Sequence, residues 1–133
     1  GKNYTYSGLV QVAEPWNDTL KVLKKKVEVV AGIDFNSLLL NYYRTGKDSI
    51  GWHSDSEKEL VPNPVVASLT LGSTRDFELK HKNGAKIGRM TIPLEHGSLL
   101  VMGNTIQTHW LHAVMKTEEE IGERINLTFR KFK

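Results

Sequence analysis

The sequence predicts a mainly β domain, a jelly roll or a barrel, with one flanking α-helix. Apolar residues alternate with a period of two in many short segments, turn signals such as Asn83-Gly84 separate these segments, and one stretch has helical spacing. Many short strands of this kind are typical of sandwiches and barrels. A chain of 133 residues has the length of one domain, which we expect to span residues 1–133.

The helix is predicted from Pro15 to Gly32. Asn17 or Asp18 can cap its first turn, and Gly32 can end it. The apolar residues at helical spacing, expected to face the core, are Leu20, Leu23, Val27 and Val30. Upstream, Tyr4-Thr5-Tyr6 is strand-like and begins so abruptly that we expect further sequence before it.

Downstream of the helix the pattern changes to that of strands. A charged loop, Glu57 to Pro64, interrupts the series, and turns are expected at Glu95-His96-Gly97 and Gly103-Asn104. The predicted strands are Phe35 to Arg44, Ile50 to Asp55, Val65 to Leu71, Phe77 to His81, Lys86 to Ile92, Ser98 to Met102, Trp110 to Val114 and Arg124 to Phe132.

The composition narrows the functional classes. A hydrophobic content of 39% and a charged content of 25% are typical of a soluble globular protein, and no apolar run approaches the length of a membrane span. The absence of cysteine excludes disulfides and thiolate metal ligands, and it favours an intracellular protein. A net charge of +3 with a sequence pI of about 9.1 is compatible with a polyanionic partner without requiring one.

The first candidate for a catalytic motif is His53-Ser54-Asp55. Residues i and i+2 of a strand point to the same face, so His53 and Asp55 would offer an imidazole nitrogen and a carboxylate oxygen to one point. With a second histidine they would form the set of two histidines and one carboxylate that holds non-haem Fe(II) and leaves coordination positions open.

The second histidine of this set is expected to be His112. Strand periodicity puts His112 on the same face as Trp110 and puts His109 on the opposite face. His81 lies in a lysine-rich segment and His96 in a turn, so both are expected at the surface. A histidine that only packs in the core or lies at the surface is the alternative for both His109 and His112.

Two predicted strands have polar faces that a buried sheet does not normally carry. Asn41 and Tyr43 share one face of the first, and both can donate hydrogen bonds to carboxylate oxygens. The polar residues on one face of the last strand are Arg124, Asn126, Thr128 and Arg130. Arginine makes planar, bidentate contacts with carboxylates, so this face suits a dicarboxylate. The alternative is that these residues face solvent.

These motifs together resemble the AlkB family of Fe(II)- and 2-oxoglutarate-dependent dioxygenases. The matching segments are Asn41-Tyr42-Tyr43, His53-Ser54-Asp55, His112 and Arg124-Ile125-Asn126-Leu127-Thr128-Phe129-Arg130. The R-x-N-x-T-x-R run, downstream of H-x-D and a distal histidine, is the most distinctive of them. The resemblance covers nearly the whole chain and departs at its start, where nucleic-acid repair members carry more lid sequence.

The resemblance implies a double-stranded β-helix (jelly roll) with Fe(II), 2-oxoglutarate and O2 as cofactors. His53, Asp55 and His112 would hold the iron and form the catalytic set. The implied reaction is oxidative demethylation of N-alkylated nucleobases, such as 1-methyladenine and 3-methylcytosine, in DNA or RNA. It is coupled to decarboxylation of 2-oxoglutarate and releases succinate, carbon dioxide and formaldehyde.

The resemblance also implies how 2-oxoglutarate is bound. Arg124 with Tyr43 would hold the distal carboxylate, while Arg130 and Asn41 would lie near the end that chelates iron. The assignment of each arginine to an end stays open. The full implied set of cosubstrate residues is Asn41, Tyr43, Arg124, Asn126, Thr128 and Arg130.

Further residues are implied for the nucleic acid. Tyr6 would stack on the base, with packing on an edge strand as the alternative, and Tyr4 would hydrogen-bond or brace it. Glu57 would accept hydrogen bonds from the exocyclic amine or sense the positive charge of the base, with an exposed loop acid as the alternative. The expected backbone contacts, which could instead only solvate a hairpin, are Lys80, Lys82, Lys86 and Arg89. We expect a monomer that prefers single-stranded DNA or RNA, binds no membrane, and resides in the nucleus if eukaryotic or the cytoplasm if bacterial.

Two other functions fit the sequence. The same iron and 2-oxoglutarate chemistry could act on a protein or a small molecule, because the iron and arginine residues do not specify the substrate. A nucleic-acid-binding β domain without catalysis is the other interpretation, and the complete set of iron and cosubstrate residues argues against it.

Overall fold

The computed structural model describes residues 6–7, 10–13, 17–54, 62, 64–84 and 86–133, with side chains from residue 17 onward except at residue 104. Within these ranges the helices are α1 (Asp18–Ala31) and α2 (Asn104–His109). The strands are β1 (Tyr6–Ser7), β2 (Val10–Ala13), β3 (Ser37–Tyr43), β4 (Ser49–His53), β5 (Val66–Gly72), β6 (Arg75–His81), β7 (Arg89–Leu94), β8 (Leu99–Met102), β9 (Trp110–Val114) and β10 (Arg124–Arg130).

The strands form two antiparallel sheets. In the described part of the chain, the helix-side sheet has the order β2-β3-β10-β5-β8, and the outer sheet has the order β1-β4-β9-β6-β7. Consecutive strands often lie in different sheets, so the chain crosses repeatedly between the two layers. This arrangement, with α1 at the side, confirms the predicted mainly β jelly roll.

Two hydrophobic clusters fix the layers. One lies between the sheets and contains Tyr43, Ile50, Val66, Phe77, Leu79, Leu94, Met102 and Val114. The other packs α1 against the far face of the helix-side sheet and contains Val27, Phe35, Leu38, Ala67, Leu127 and Phe129. The helix-side sheet is therefore covered on both faces, which explains why one face of β10 is apolar.

The ends of α1 follow local chemistry, as predicted. The side chain of Asn17 accepts a hydrogen bond from the main-chain N–H of Leu20 at 2.8 Å. Gly32 caps the other end with φ of 73°, a left-handed conformation that favours glycine. The prediction that Val30 faces the core is wrong, because Val30 is 70% exposed and Ala31 packs against the cluster instead. At 3.6 residues per turn, Ala31 lies closer than Val30 to the line through Leu20 and Val27.

The β6–β7 connection is longer than the sequence predicted. The main-chain N–H of Gly84 donates to the carbonyl of His81, and that of Ile87 donates to the carbonyl of Gly84, both at 3.0 Å. Two successive turns therefore occupy the connection, and β7 begins at Arg89 rather than at Lys86. Pro93 is accommodated because β7 is an edge strand.

Two short elements were missed from the sequence. β2 pairs with β3, with Val10 opposite Tyr42 and Ala13 opposite Leu39, so its partner lies far along the chain. α2 occupies six residues where we predicted only a turn. A helix of this length has little intrinsic stability, and its formation depends on the packing around it.

Candidate active site

A cavity that is partly open to solvent lies between the two sheets. Its lining includes every predicted iron or cosubstrate residue except Asp55, which lies outside the described residues. The lining consists of Leu39, Asn41, Tyr43, Ile50, His53, Ser68, Phe77, Met102, His112, Val114, Arg124, Asn126, Thr128 and Arg130. The polar face of β10 therefore points into the molecule, and the alternative of a solvent-facing strand is wrong.

His53 and His112 form a cross-strand pair. They lie opposite each other on β4 and β9, and their ring centroids are 4.2 Å apart with an interplanar angle of 62°. The register shifts between Ile50 and His53, which is the effect of an extra residue in β4. His112 is 3% exposed and stacks on Phe77 with ring centroids 5.0 Å apart. Packing thus orients both imidazoles toward the cavity.

The hydrogen bonding of His53 fits a metal ligand. Its Nδ1 lies 2.8 Å from the carbonyl oxygen of Gly51. Because a carbonyl oxygen only accepts, Nδ1 carries the proton and the lone pair of the neutral ring is on Nε2. Metal-binding histidines commonly make this contact with their second nitrogen. The described residues contain no group of three potential metal ligands, and the predicted third ligand, Asp55, is outside them.

The other described histidines lie away from the cavity lining. His109 is exposed at the end of α2, and its ring is nearly parallel to that of His81, with centroids 6.2 Å apart. His96 is exposed in a turn and accepts a hydrogen bond from the N–H of Gly72 at 2.9 Å. Among the described histidines, His112 therefore shares the cavity with His53, and its role as an iron ligand stays a prediction.

Arg124 is the most buried cation of the cavity. It is 1% exposed, and its Nη2 donates to the hydroxyl of Thr70 at 2.9 Å. Its Nε and Nη1 make no hydrogen bond within the described part of the chain. Burial lowers the pKa of the Arg124 guanidinium, although arginine remains charged near neutral pH. Buried N–H groups without acceptors are costly, and carboxylate oxygens would satisfy them.

Tyr43 lies beside Arg124. The guanidinium carbon of Arg124 is 4.9 Å from the centroid of the Tyr43 ring. Burial raises the pKa of the Tyr43 phenol, with the nearby arginines acting in the opposite direction. The phenol therefore stays protonated at neutral pH and can donate a hydrogen bond to an anionic ligand.

Asn126 is the centre of a hydrogen-bond network across three strands. Its side-chain oxygen accepts from Asn41 Nδ2 at 3.1 Å and from Thr128 Oγ1 at 2.6 Å. Its side-chain nitrogen donates to Ser68 Oγ. The network fixes the orientation of the Asn126 amide and links β3, β10 and β5. Such satisfied polar networks hold buried groups in one arrangement.

Sequence reasoning missed Ser68 and Thr70. Both lie on β5, where Ser68 lines the cavity, and they supply oxygen atoms to Asn126 and Arg124. A signal was present in the sequence, since two hydroxyl residues at spacing i, i+2 interrupt an apolar strand. It was weaker than the signal in β10 because isolated serine and threonine residues are common in strands.

The residues predicted to contact the base are largely beyond what the structure describes. Tyr4 and Glu57 lie outside the described residues. The main chain of Tyr6 belongs to β1 and pairs with Ile50 of β4, the strand that carries His53. The stacking and hydrogen-bonding roles of these residues stay predictions.

The predicted phosphate contacts lie on β6, β7 and their connection. Lys80 Nζ is 4.3 Å from the centroid of the Trp52 ring, and Arg89 pairs with Glu78 at 3.3 Å. Lys82 and Lys86, in contrast, are exposed in the connection. All four cations lie outside the cavity lining, and their contact with a nucleic acid stays a prediction.

Comparison with known proteins gives one family and several relatives. A model of the 2OG-Fe(II) oxygenase superfamily matches residues 1–130. DNA oxidative demethylase ALKBH2 of Homo sapiens is 39% identical over 137 residues, which cover 98% of this chain and 52% of the human protein. Alpha-ketoglutarate-dependent dioxygenase alkB homolog 3 of Homo sapiens is 44% identical over 135 residues, which cover 96% of this chain and 47% of the human protein. The chain thus spans about half the length of these curated relatives.

The solved structure of OsALKBH1 supports the fold. It superposes with a TM-score of 0.65 over 84% of this chain and 62% of its own, at 20% sequence identity. The chain belongs to the 2OG-Fe(II) oxygenase superfamily. Within the superfamily, the similarity to ALKBH2 and to alkB homolog 3 confirms the resemblance to the AlkB family. None of the helices within the described residues is long and apolar enough to span a membrane.

Proposed function

We propose that the chain is the catalytic domain of an oxidative nucleic-acid demethylase. The observation that carries this proposal is that one cavity is lined by the His53–His112 pair and by the buried arginines Arg124 and Arg130. Two imidazoles suit Fe(II), and two arginines suit a dicarboxylate such as 2-oxoglutarate. The similar human proteins are named as a DNA oxidative demethylase and an alpha-ketoglutarate-dependent dioxygenase, which supports the same activity.

In this proposal His53, Asp55 and His112 hold Fe(II). The bound iron supplies the activation of O2, coupled to decarboxylation of 2-oxoglutarate to succinate and carbon dioxide. His53 is oriented by its contact with the carbonyl of Gly51. His112 is oriented by its stacking on Phe77. Both rings are thereby held before the metal arrives, which lowers the entropic cost of binding it.

The helix-side sheet binds the cosubstrate. Arg124 donates from its two unpaired nitrogens, and Tyr43 donates from its protonated phenol, to the distal carboxylate of 2-oxoglutarate. Arg130 and Asn41 lie near the opposite end. Asn126, together with Thr128, holds the amide of Asn41 through the hydrogen bonds of the network. The burial of these groups excludes water that would compete for the same donors.

The substrate is an N-alkylated nucleobase, such as 1-methyladenine or 3-methylcytosine, in DNA or RNA. Hydroxylation of the alkyl carbon gives a hemiaminal, which breaks down to formaldehyde and the free base. Tyr6 stacks on the base, Tyr4 hydrogen-bonds or braces it, and Glu57 accepts hydrogen bonds from the exocyclic amine. Lys82 and Lys86, with the more engaged Lys80 and Arg89, contact phosphates.

We further propose that the enzyme acts as a monomer and prefers single-stranded substrate. A base inside a duplex must leave its stack before it can enter an active site, whereas a single-stranded base avoids most of that cost. A net charge of +3 favours either form of nucleic acid without selecting between them.

The test is demethylation of matched single-stranded and duplex oligonucleotides that carry one 3-methylcytosine. We expect formaldehyde and succinate in equal amounts, faster with the single strand, and neither product without Fe(II).

Base–aromatic stacking is worth about 1–3 kcal/mol, so Tyr6→Ala should weaken substrate binding to that extent and leave uncoupled 2-oxoglutarate turnover largely intact. Tyr42→Ala, outside the cavity lining, is the control.

Each alternative function gives a different result. Succinate formation that the methylated oligonucleotide does not raise above the uncoupled rate, with no formaldehyde released, would favour a protein or small-molecule hydroxylase. No succinate under any condition, with oligonucleotide still bound, would favour a non-catalytic nucleic-acid-binding domain. Equal or faster repair of the duplex would disprove the preference for single-stranded substrate and leave the proposed activity unaffected.

A further inference from the structure

Arg75, at the start of β6, is a buried arginine outside the predicted site. It is 3% exposed, and its guanidinium donates to the main-chain carbonyls of Met115 at 2.6 Å, Asp48 at 3.0 Å and Thr45 at 3.3 Å. Two of these carbonyls belong to the β3–β4 connection, and the third belongs to the residue after β9. Through these hydrogen bonds Arg75 links the β3–β4 connection to the residue that follows β9, at one end of the molecule.

Arg75 also contacts the Tyr43 ring. Its guanidinium carbon is 5.4 Å from the ring centroid, and that of Arg124 is 4.9 Å from the same centroid. Two cations thus lie against one buried phenol, at distances where the ring attracts a positive charge. Tyr43 lines the cavity and Arg75 does not, so Arg75 acts on the cavity indirectly, by its contact with the Tyr43 ring.

The described charges at this end of the cavity do not balance. Both oxygens of Asp48 accept hydrogen bonds from Arg44, from its main-chain N–H at 2.8 Å, from Nε at 2.9 Å and from Nη2 at 3.0 Å. This hydrogen bonding is the main reason that the pKa of the Asp48 carboxyl is lowered, so the carboxyl stays ionised at neutral pH. The other acid that acts on Arg75 is Asp76, which is exposed. Further acids line the surface pocket beside Arg75, where Glu119 is exposed and Glu78 pairs with Arg89. Among the buried side chains of the described residues, the single carboxylate of Asp48 therefore stands against the guanidinium groups of Arg75, Arg124 and Arg130.

An excess of buried positive charge is costly unless an anion offsets it. We propose that Arg75 is a positioning residue for the distal carboxylate of 2-oxoglutarate. It holds the Tyr43 ring and the β3–β4 connection in place, and it adds positive potential at the Arg124 end of the cavity. This inference rests on the proposed function, because it takes 2-oxoglutarate as the ligand of the cavity.

The inference predicts a change in ligand preference, which a purely structural role would not produce. The probes are 2-oxoglutarate and 2-oxopentanoate, which has the same carbon chain with a methyl group in place of the distal carboxylate. Calorimetry with Mn(II) in place of Fe(II) measures the binding of each probe without turnover. The ratio of the two dissociation constants isolates the contribution of the distal carboxylate.

Arg75→Met should reduce the preference for 2-oxoglutarate roughly tenfold, since it removes a positive charge beside Tyr43 and the contact that holds the Tyr43 ring. Arg75→Lys keeps the charge but loses the planar fork that holds the carbonyls, so the preference should fall by a smaller factor, about threefold. The matched control is Lys116→Met, which removes an exposed positive charge from the surface pocket that Arg75 also lines. The control should keep the wild-type ratio.

An unchanged ratio in the Arg75 variants, or equal weakening of both probes, would overturn the inference. If Arg75→Met fails to fold, as judged by near-ultraviolet circular dichroism, Arg75→Lys decides by the same ratio. A wild-type protein that shows no preference for 2-oxoglutarate over 2-oxopentanoate would instead overturn the proposed function. The two failures are therefore distinguishable.

Discussion

The helix-side sheet and the outer sheet line the same cavity but hold their polar residues there by different means. On the helix-side sheet, hydrogen bonds between neighbouring strands link Asn126 to Asn41 and Ser68. On the outer sheet, ring packing orients His53 and His112, and His53 also contacts the carbonyl of Gly51. The cosubstrate half of the site is thus a connected network, and the histidine half is a packed pair.

The two sheets also differ in how regularly their strands pair. β10 keeps a continuous register with β3 from Arg124 opposite Tyr43 to Arg130 opposite Ser37. β4 and β9, in contrast, change register between Ile50 and His53. A regular ladder suffices to present a polar face, whereas the histidine pair needs an irregular strand that turns one side chain inward. The histidine half should therefore be the more sensitive to single substitutions.

The largest expected effect is at the histidine pair. His112→Ala should abolish turnover, because it removes one of only two described imidazoles that line the cavity. Iron binding, measured by calorimetry under anaerobic conditions, should fall in parallel. His109→Ala is the matched control, since His109 is exposed at the end of α2 and should leave both quantities intact. Loss of iron in the His109 variant with retention in the His112 variant would refute this assignment.

A smaller effect is expected at Arg124. Arg124→Lys keeps the charge but loses the planar guanidinium group that makes bidentate contacts with a carboxylate. Loss of a charge-assisted hydrogen bond costs about 1.5–3 kcal/mol, so the KM for 2-oxoglutarate should rise about ten- to a hundredfold. Steady-state succinate formation at varied 2-oxoglutarate measures it. Arg89→Lys, on the solvent side of the outer sheet, is the control and should keep the wild-type KM. The site would be disproved by an unchanged KM in both Arg124→Lys and Arg130→Lys.

The smallest effect is expected at Thr70, whose hydroxyl oxygen accepts a hydrogen bond from Arg124. Thr70→Val preserves the shape of the side chain but removes the acceptor for Arg124 Nη2. A loss of about 1 kcal/mol should raise the KM for 2-oxoglutarate about fivefold, with little change in kcat. Thr91→Val, which removes an exposed hydroxyl bonded to Glu78, is the matched control. Equal KM values for the two variants would show that Thr70 does not position the arginine.

The sequence by itself determined the features that rest on local chemistry. The glycine at position 32 and the alternation of polar and apolar residues in β10 were predicted correctly, and the cap at Asn17 is one of the two that were predicted. Local rules suffice for these features because each depends on neighbouring residues or on the period of a regular strand. The AlkB resemblance depended on the same local motifs.

Only the tertiary structure decided where the polar faces point and what holds them. Strict alternation from Ile50 would put Trp52, rather than His53, opposite His112, and the register shift in β4 reverses this. Thr70 and Ser68 gain their partners only when β5 pairs with β10, more than fifty residues away in the chain. Arg75 acquires its place beside Tyr43 in the same way. The physical reason is that these contacts join residues that are distant in sequence, and local patterns carry no information about which distant strands will pair.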